Sequence, residues 1–356
     1  MTDTELLDNW SGTTLLKQRY MKIAILSSIA WRTPPRKYGP WEQVTSNITE
    51  GLVEKGIDVT LFATGDSITK GKLSSVNAHS YGEDTDVDPK AVECLHISNL
   101  MEQAGKFDLI HNNFDFLPLS YSGLIKTPMV TTIHGFSSSK ILPVYKKYNS
   151  STFYVSISRS DRNPELDYIA TVYNGINITD FSYNHEPSDY LLFFGRIHPE
   201  KGVYESIKIA KESERKLIIS GFIQDQEYFD TRVKPFINNT DIIYVGNSGP
   251  VERNRLLGNA YALLHPISFD EPFGMSVAES MICGTPVIAY NRGSMPEIIV
   301  DKKTGFLVDT MEGAVDAVSK VQDINRKDCR EWAASTFSKE RMVESYLKVY
   351  NKIINK

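Results

Sequence analysis

The chain has 356 residues, enough for about two domains, and its 41% hydrophobic and 23% charged residues are the balance of a globular protein with a proper core. A formal net charge of -5 leaves no overall basic excess to release counterions from a duplex, which argues against a nucleic-acid binder. The three cysteines, Cys94, Cys283 and Cys329, lie far apart without ligand spacing, so neither a disulfide framework nor a zinc site is indicated.

Residues 1–20 are polar with scattered charge and carry no apolar stretch of the signal-peptide kind; they read as an extension ahead of the fold. Strand-like sequence begins at Met21, with the apolar run Lys22–Ser27. A loop bearing Pro and Gly then covers Ser28 to Pro40, and Val44, Ile48 and Leu52, spaced four apart, predict a helix face. Gly56 stops that helix, and Asp58–Ala63 predicts a second strand. The polar stretch Ser67–Asp88 reads as an exposed excursion. Further strands are predicted at Phe107–His111, Met129–His134 and Thr152–Ser156. A polar segment with Pro187, near Ile178–Asp189, marks a boundary. The rhythm restarts at Tyr190–Gly195, with strands predicted at Lys216–Ser220, Asp241–Val245, Tyr261–His265 and Pro286–Tyr290. Met342, Tyr346 and Val349 lie at helical spacing in the final segment. No run reaches the ~20 apolar residues of a membrane span. The pattern predicts an α/β protein of two doubly wound domains facing across a cleft, with ligands at the carboxyl ends of the strands.

Two segments at predicted strand ends could carry chemistry. Gly195-Arg196-Ile197-His198-Pro199-Glu200-Lys201-Gly202 puts two cations five apart in a Gly-bounded loop before a helix, which suits a diphosphate. Read alone, it is more often a solvated basic loop. In His265–Glu279, Pro272 and Gly274 suit a tight turn exposing backbone N–H groups at a helix start, an anion site. Glu271 and Glu279 could accept hydrogen bonds from hydroxyls, although acidic residues also favour helix starts through the dipole alone.

The spacing of Glu271 and Glu279 resembles the E-x7-E motif of glycosyltransferase family 4, retaining enzymes of the GT-B fold. Gly195-Arg196 with Lys201-Gly202 is similar to the phosphate loop of that family. Gly284-Thr285-Pro286-Val287, Gly293-Ser294-Met295-Pro296-Glu297 and Thr304-Gly305-Phe306 follow in order. Asn174-Gly175-Ile176 resembles the stretch entering the interdomain linker, and Tyr38–Glu42 and Thr132–Gly135 the acceptor-side loops.

The resemblance covers about Met21 to the end. It implies two Rossmann-like domains, the acceptor side over 21–180 and the nucleotide-sugar side over 181–338. A helix over 339–356 would pack back across them. It also implies that Arg196 and Lys201, with Gly195, grip the donor diphosphate. Glu271 would hold hydroxyls of the transferred sugar, helped by amides of Phe273, Gly274 and Met275, and Glu279 would hold the ribose. Gly246 and Asn247 would meet the base, His134 would face the sugar, and Gly39 would allow close approach to the phosphates or acceptor. Pro40, where a second glycine is frequent, has no N–H to give.

The donor is then a UDP- or GDP-sugar and the acceptor a glycan, a lipid-linked or a small molecule. The resemblance implies retention through attack from the leaving-group face, with the phosphate oxygen taking the acceptor proton and Glu271 positioning the sugar. His134 as general base is a weaker alternative. No metal or other cofactor is expected, because cations and a helix start meet the phosphate charge. Glu83-Asp84-Thr85-Asp86 sits in a polar loop, without the flanking strand of a metal motif. Two other functions are weighed, a nucleotide-sugar 2-epimerase and an inactive nucleotide-sugar-binding protein. The expected location is the cytoplasm. Lys140, Lys146 and Lys147 among Tyr145 and Tyr148 are either an ordinary solvated face or a weak contact with the inner membrane surface.

Overall fold

Two parallel β-sheets organise the chain in the computed structural model, which describes residues 21–84, 86–135 and 139–355. The extension over 1–20 and Thr85 of the acidic run lie outside the described residues.

The first sheet holds β1 (Lys22–Ser27), β2 (Asp58–Phe62), β3 (Lys72–Ser74), β4 (Leu109–Asn113), β5 (Met129–Ile133), β6 (Phe153–Ser156) and β7 (Tyr168–Thr171). Their spatial order is β3-β2-β1-β4-β5-β6-β7 and every pair is parallel. Strands buried on both faces read as continuous apolar runs, and five of the six β1 residues are buried. Around this sheet lie α1 (Pro40–Glu54), α2 (Pro89–Met101) and α3 (Leu142–Tyr148).

The second sheet holds β8 (Leu191–Phe194), β9 (Leu217–Ser220), β10 (Ile242–Tyr244), β11 (Ala262–His265), β12 (Val287–Tyr290) and β13 (Gly305–Val308). The order is β10-β9-β8-β11-β12-β13, again all parallel. Its helices are α4 (Val203–Glu212), α5 (Pro250–Asn259), α6 (Met275–Ile282), α7 (Met295–Ile298), α8 (Met311–Lys320) and α9 (Arg326–Phe337). The result is the two Rossmann-like domains of a GT-B fold.

After α9, helix α10 (Lys339–Ile354) returns to the first domain. Its Met342, Val343, Tyr346, Tyr350 and Ile353 share one buried cluster with Ile23, Val44, Ile48 and Val130. Lys339 pairs with Glu54 of α1 at 2.8 Å. The Tyr350 hydroxyl lies 2.7 Å from His111 Nδ1, and the Tyr346 hydroxyl lies 2.8 Å from Thr132 Oγ1.

One expectation is corrected. Ser67–Asp88 is not wholly an excursion, because β3 pairs there with β2. Lys72-Leu73-Ser74 is a short edge strand with exposed residues, so it has no apolar run to betray it. Strands β7 and β13 extend the sheets at their other edges and were not anticipated either. His111 is a structural residue: its ring is fully buried between Tyr350 and Thr132, and burial pushes its pKa down to about 3.

Candidate functional site

In an open parallel sheet a crevice opens where neighbouring strands send their following loops in opposite directions. In the second sheet that point lies between β8 and β11. The segment after β8 carries Gly195 to Gly202, and the segment after β11 carries Pro266 to Gly274. Topology therefore joins two loops about 70 residues apart. Lys201 Nζ forms an ion pair with Glu271 Oε2, and both side chains are 13% exposed. Gly202 permits the approach: at φ 74, any Cβ there would stand 2.1 Å from the Pro266 carbonyl oxygen.

Burial pushes the Glu271 carboxyl up, but the Lys201 ammonium and His265 outweigh it and hold it down to about 2. His265 Nε2 lies 3.6 Å from Glu271 Oε2, beyond hydrogen-bond length, in a ring that burial keeps neutral more readily than usual. Lys201 also sits 4.6 Å from the Phe269 ring centroid. Arg196 is half-buried and donates through Nη1 to Gln224 Oε1, in the loop after β9.

Helix α6 opens on Gly274 in the left-handed conformation, φ 85 and ψ 65. The first backbone N–H groups of a helix have no intrahelical partner, so this end attracts anions. The side chain of Phe273 is buried against Tyr173 and Phe337, which leaves only its backbone for a ligand. Glu279 is 4% exposed, and Arg253 Nη1 of α5 lies 3.4 Å from its Oε1. Burial raises the Glu279 carboxyl and Arg253 opposes the rise. Arg253 Nε is buried without a hydrogen-bond partner. Gly246, at φ 79, turns the chain after β10, and Asn247 follows it half-buried.

Across the cleft, His134 closes β5 and stacks on Trp41 with ring centroids 5.7 Å apart. Its Nε2 lies 3.1 Å from Asn113 Oδ1, while its Nδ1 and the Asn113 Nδ2 are buried without partners. Burial pushes the His134 pKa down to about 4. Gly135 abuts Pro272, so the first domain touches the Glu271 loop. Tyr38 packs on Phe222 of the second domain, centroids 4.7 Å apart. Gly39 caps α1 ahead of Pro40, at the first helical position, where a missing N–H costs no intrahelical bond.

Sequence reasoning missed Arg253, Gln224 and Asn113, and gave Glu42 no role beyond its place in the Tyr38–Glu42 loop. Glu42 is buried, and burial pushes its carboxyl up to about 7, with the Trp31 N–H donating to it at 3.3 Å. The basic patch near α3 is reduced: Tyr145 is buried with its hydroxyl on Asp115, and Lys146 pairs with Glu165 at 2.5 Å. Glu83 pairs with Arg36, and among the described residues no group of three or more His, Cys, Asp or Glu is placed to hold a metal. No helix among them is long and apolar enough to cross a membrane.

An uncharacterized glycosyltransferase of Methanocaldococcus jannaschii is 23% identical over 350 residues, spanning 84% of this chain and 89% of the relative. Sucrose-phosphate synthase from Thermosynechococcus elongatus has the same fold, with a TM-score of 0.75 at 16% identity, covering 94% of this chain and 99% of that one. HepE from Anabaena, in complex with UDP and glucose, superposes with a TM-score of 0.70 at 17% identity, covering 93% and 100%. Residues 176–336 match the family model of Glycosyl transferases group 1, so the domain that holds the Lys201–Glu271 pair is similar to that family, within a chain of GT-B fold.

Proposed function

We propose that the chain is a retaining glycosyltransferase of family 4 that moves a hexose-type sugar from a UDP- or GDP-sugar to a hydroxyl acceptor, without a metal. The observation that carries this is the buried Lys201–Glu271 pair at the β8/β11 crevice, beside the start of α6. A carboxylate held so far below its usual pKa is ionised at neutral pH and can only accept hydrogen bonds, which suits sugar hydroxyls and not proton donation. Lys201, Arg196 and the α6 amides then meet the charge that grows on the departing diphosphate. Groups fixed where charge develops stabilise the transition state more than the ground state.

In this reading the anomeric C–O bond to the β-phosphate breaks and the acceptor oxygen bonds to the same face of the anomeric carbon. The acceptor proton passes to the β-phosphate oxygen. In this reading His134, whose ring burial keeps neutral, faces the sugar and positions it. Glu279 holds the ribose, and the Gly246–Asn247 turn meets the base. The UDP in the Anabaena structure makes uridine sugars the first donors to test.

Glu271→Gln keeps the shape and removes the charge. It should lower the transfer rate by about a hundredfold or more, the scale of losing one transition-state hydrogen-bond partner. A rate within about twofold of the wild type would refute the assignment. EDTA should leave the wild-type rate unchanged, and strict dependence on a divalent metal would refute the metal-free reading.

A further inference from the structure

Glu297 belongs to the second domain by sequence and is bonded to the first. Its Oε1 accepts the Ser160 N–H at 2.7 Å, and its Oε2 accepts the Arg159 N–H at 2.9 Å and the Tyr173 hydroxyl at 2.9 Å. Arg159 and Ser160 follow β6, and Tyr173 follows β7. Three donors on one carboxylate are a demanding arrangement, because both of its oxygens are used as acceptors. Charge-assisted bonds of this kind are roughly twice as strong as neutral ones.

The other end of the same short segment is fastened to the donor loop. The Ser294 N–H donates to the Glu271 carbonyl at 2.9 Å, and the Ser294 hydroxyl donates to the Phe273 carbonyl at 2.8 Å. Gly293, at φ 53, lies so close that a Cβ would stand 2.4 Å from the Glu271 nitrogen. Within five residues the chain therefore grips the Glu271 turn and the first domain. Asp161 follows Ser160 on the first-domain side. It stands beside Gly135, which abuts Pro272, and its Oδ2 is buried without a partner.

We propose that Glu297 is a positioning residue, a latch that seats the acceptor-side domain against the Glu271 loop. The acceptor-side His134 and Gly135 reach the donor sugar only while the latch is made. The kinetic part rests on the transferase reading above; the latch itself is a statement about two domains.

Glu297→Gln is the test, with Tyr173→Phe as its partner. The amide has one accepting oxygen and turns an NH2 group on a backbone donor. Tyr173→Phe removes one bond and leaves the ring on Phe273 and Phe337. Three readouts are compared with the wild type: the radius of gyration by X-ray scattering, the dissociation constant of UDP or GDP, and kcat and KM for the acceptor. The expected result for Glu297→Gln is a larger radius, nucleotide affinity within about twofold, and an acceptor kcat/KM lower by about tenfold or more, the factor for losing one such bond. Tyr173→Phe should move the same quantities the same way by less. A wild-type radius with wild-type kcat/KM overturns the latch. A loss that appears wholly in nucleotide affinity also overturns it, since the segment would then only brace the donor loop. If the wild type binds no nucleotide, the transferase reading fails and the radius alone decides. If Glu297→Gln does not fold, Tyr173→Phe carries the comparison.

Discussion

At Glu271 two effects of opposite sign meet. Burial disfavours its charge, and Lys201 and His265 together outweigh that, so its pKa falls from 4.5 to about 2. A carboxyl with a lowered folded-state pKa adds stability that is present above its ordinary value and fades as pH drops through the folded value. The stability difference between wild type and Glu271→Gln should therefore narrow as pH falls from about 5 toward about 3, followed by urea unfolding. A difference constant with pH would contradict the ion pair. Arg253 and Glu279 form a second pair, and there burial wins and the carboxyl rises. Glu279→Ala should weaken nucleotide binding by about tenfold, measured by titration calorimetry, because hydrogen bonds to a charged group contribute about 1.5–3 kcal/mol. An unchanged affinity would count against the ribose role. Glu271 and Lys201 stand out in the sequence because each sits in a local pattern beside Pro and Gly. Arg253, Gln224 and Asn113 do not, because their importance comes from contacts with residues far along the chain that no local spacing encodes.

The element that most changes the picture of the molecule is α10. It belongs to the second half by sequence and to the first domain by packing. Tyr350 is fully buried, and its hydroxyl supplies the partner of a buried imidazole nitrogen. Tyr350→Phe leaves His111 Nδ1 unpaired and should cost about 1–3 kcal/mol of stability, read as a lower urea midpoint. A midpoint equal to the wild type would show that the bond adds nothing. The amphipathic spacing of this helix was visible in the sequence because its apolar face is wide and regular. Central strands such as β1 and β11 were visible for a related reason, since both faces are buried and the run is unbroken. β3 was not, because a three-residue edge strand needs neither apolar face. Strand ends shifted by one or two residues, since periodicity marks the middle of an element better than its limits.

For the whole molecule, the order of the strands does the main work. In the second sheet the order of the parallel strands reverses between β8 and β11, so the loops after those strands converge, and Lys201 reaches Glu271 without any special device beyond Gly202. In the first sheet the strand order reverses between β1 and β4, which sets the Ser28–Gly39 loop and the Asn113–His134 pair on the opposite wall. Glu297 and α10 then tie the two walls together. Two domains were legible in the alternation of strands and helices, but how they face each other depends on contacts such as Tyr38 on Phe222, which composition cannot reveal.

The most direct test of this account is a panel of UDP-, GDP- and ADP-sugars on the purified protein, followed by thermal shift and by release of the nucleoside diphosphate, with and without EDTA. At least one UDP- or GDP-sugar should raise the melting temperature and slowly lose its sugar to water, with EDTA making no difference. If no sugar nucleotide or free diphosphate shifts the melting temperature, the crevice between β8 and β11 is not a nucleotide-sugar site and the central claim is wrong.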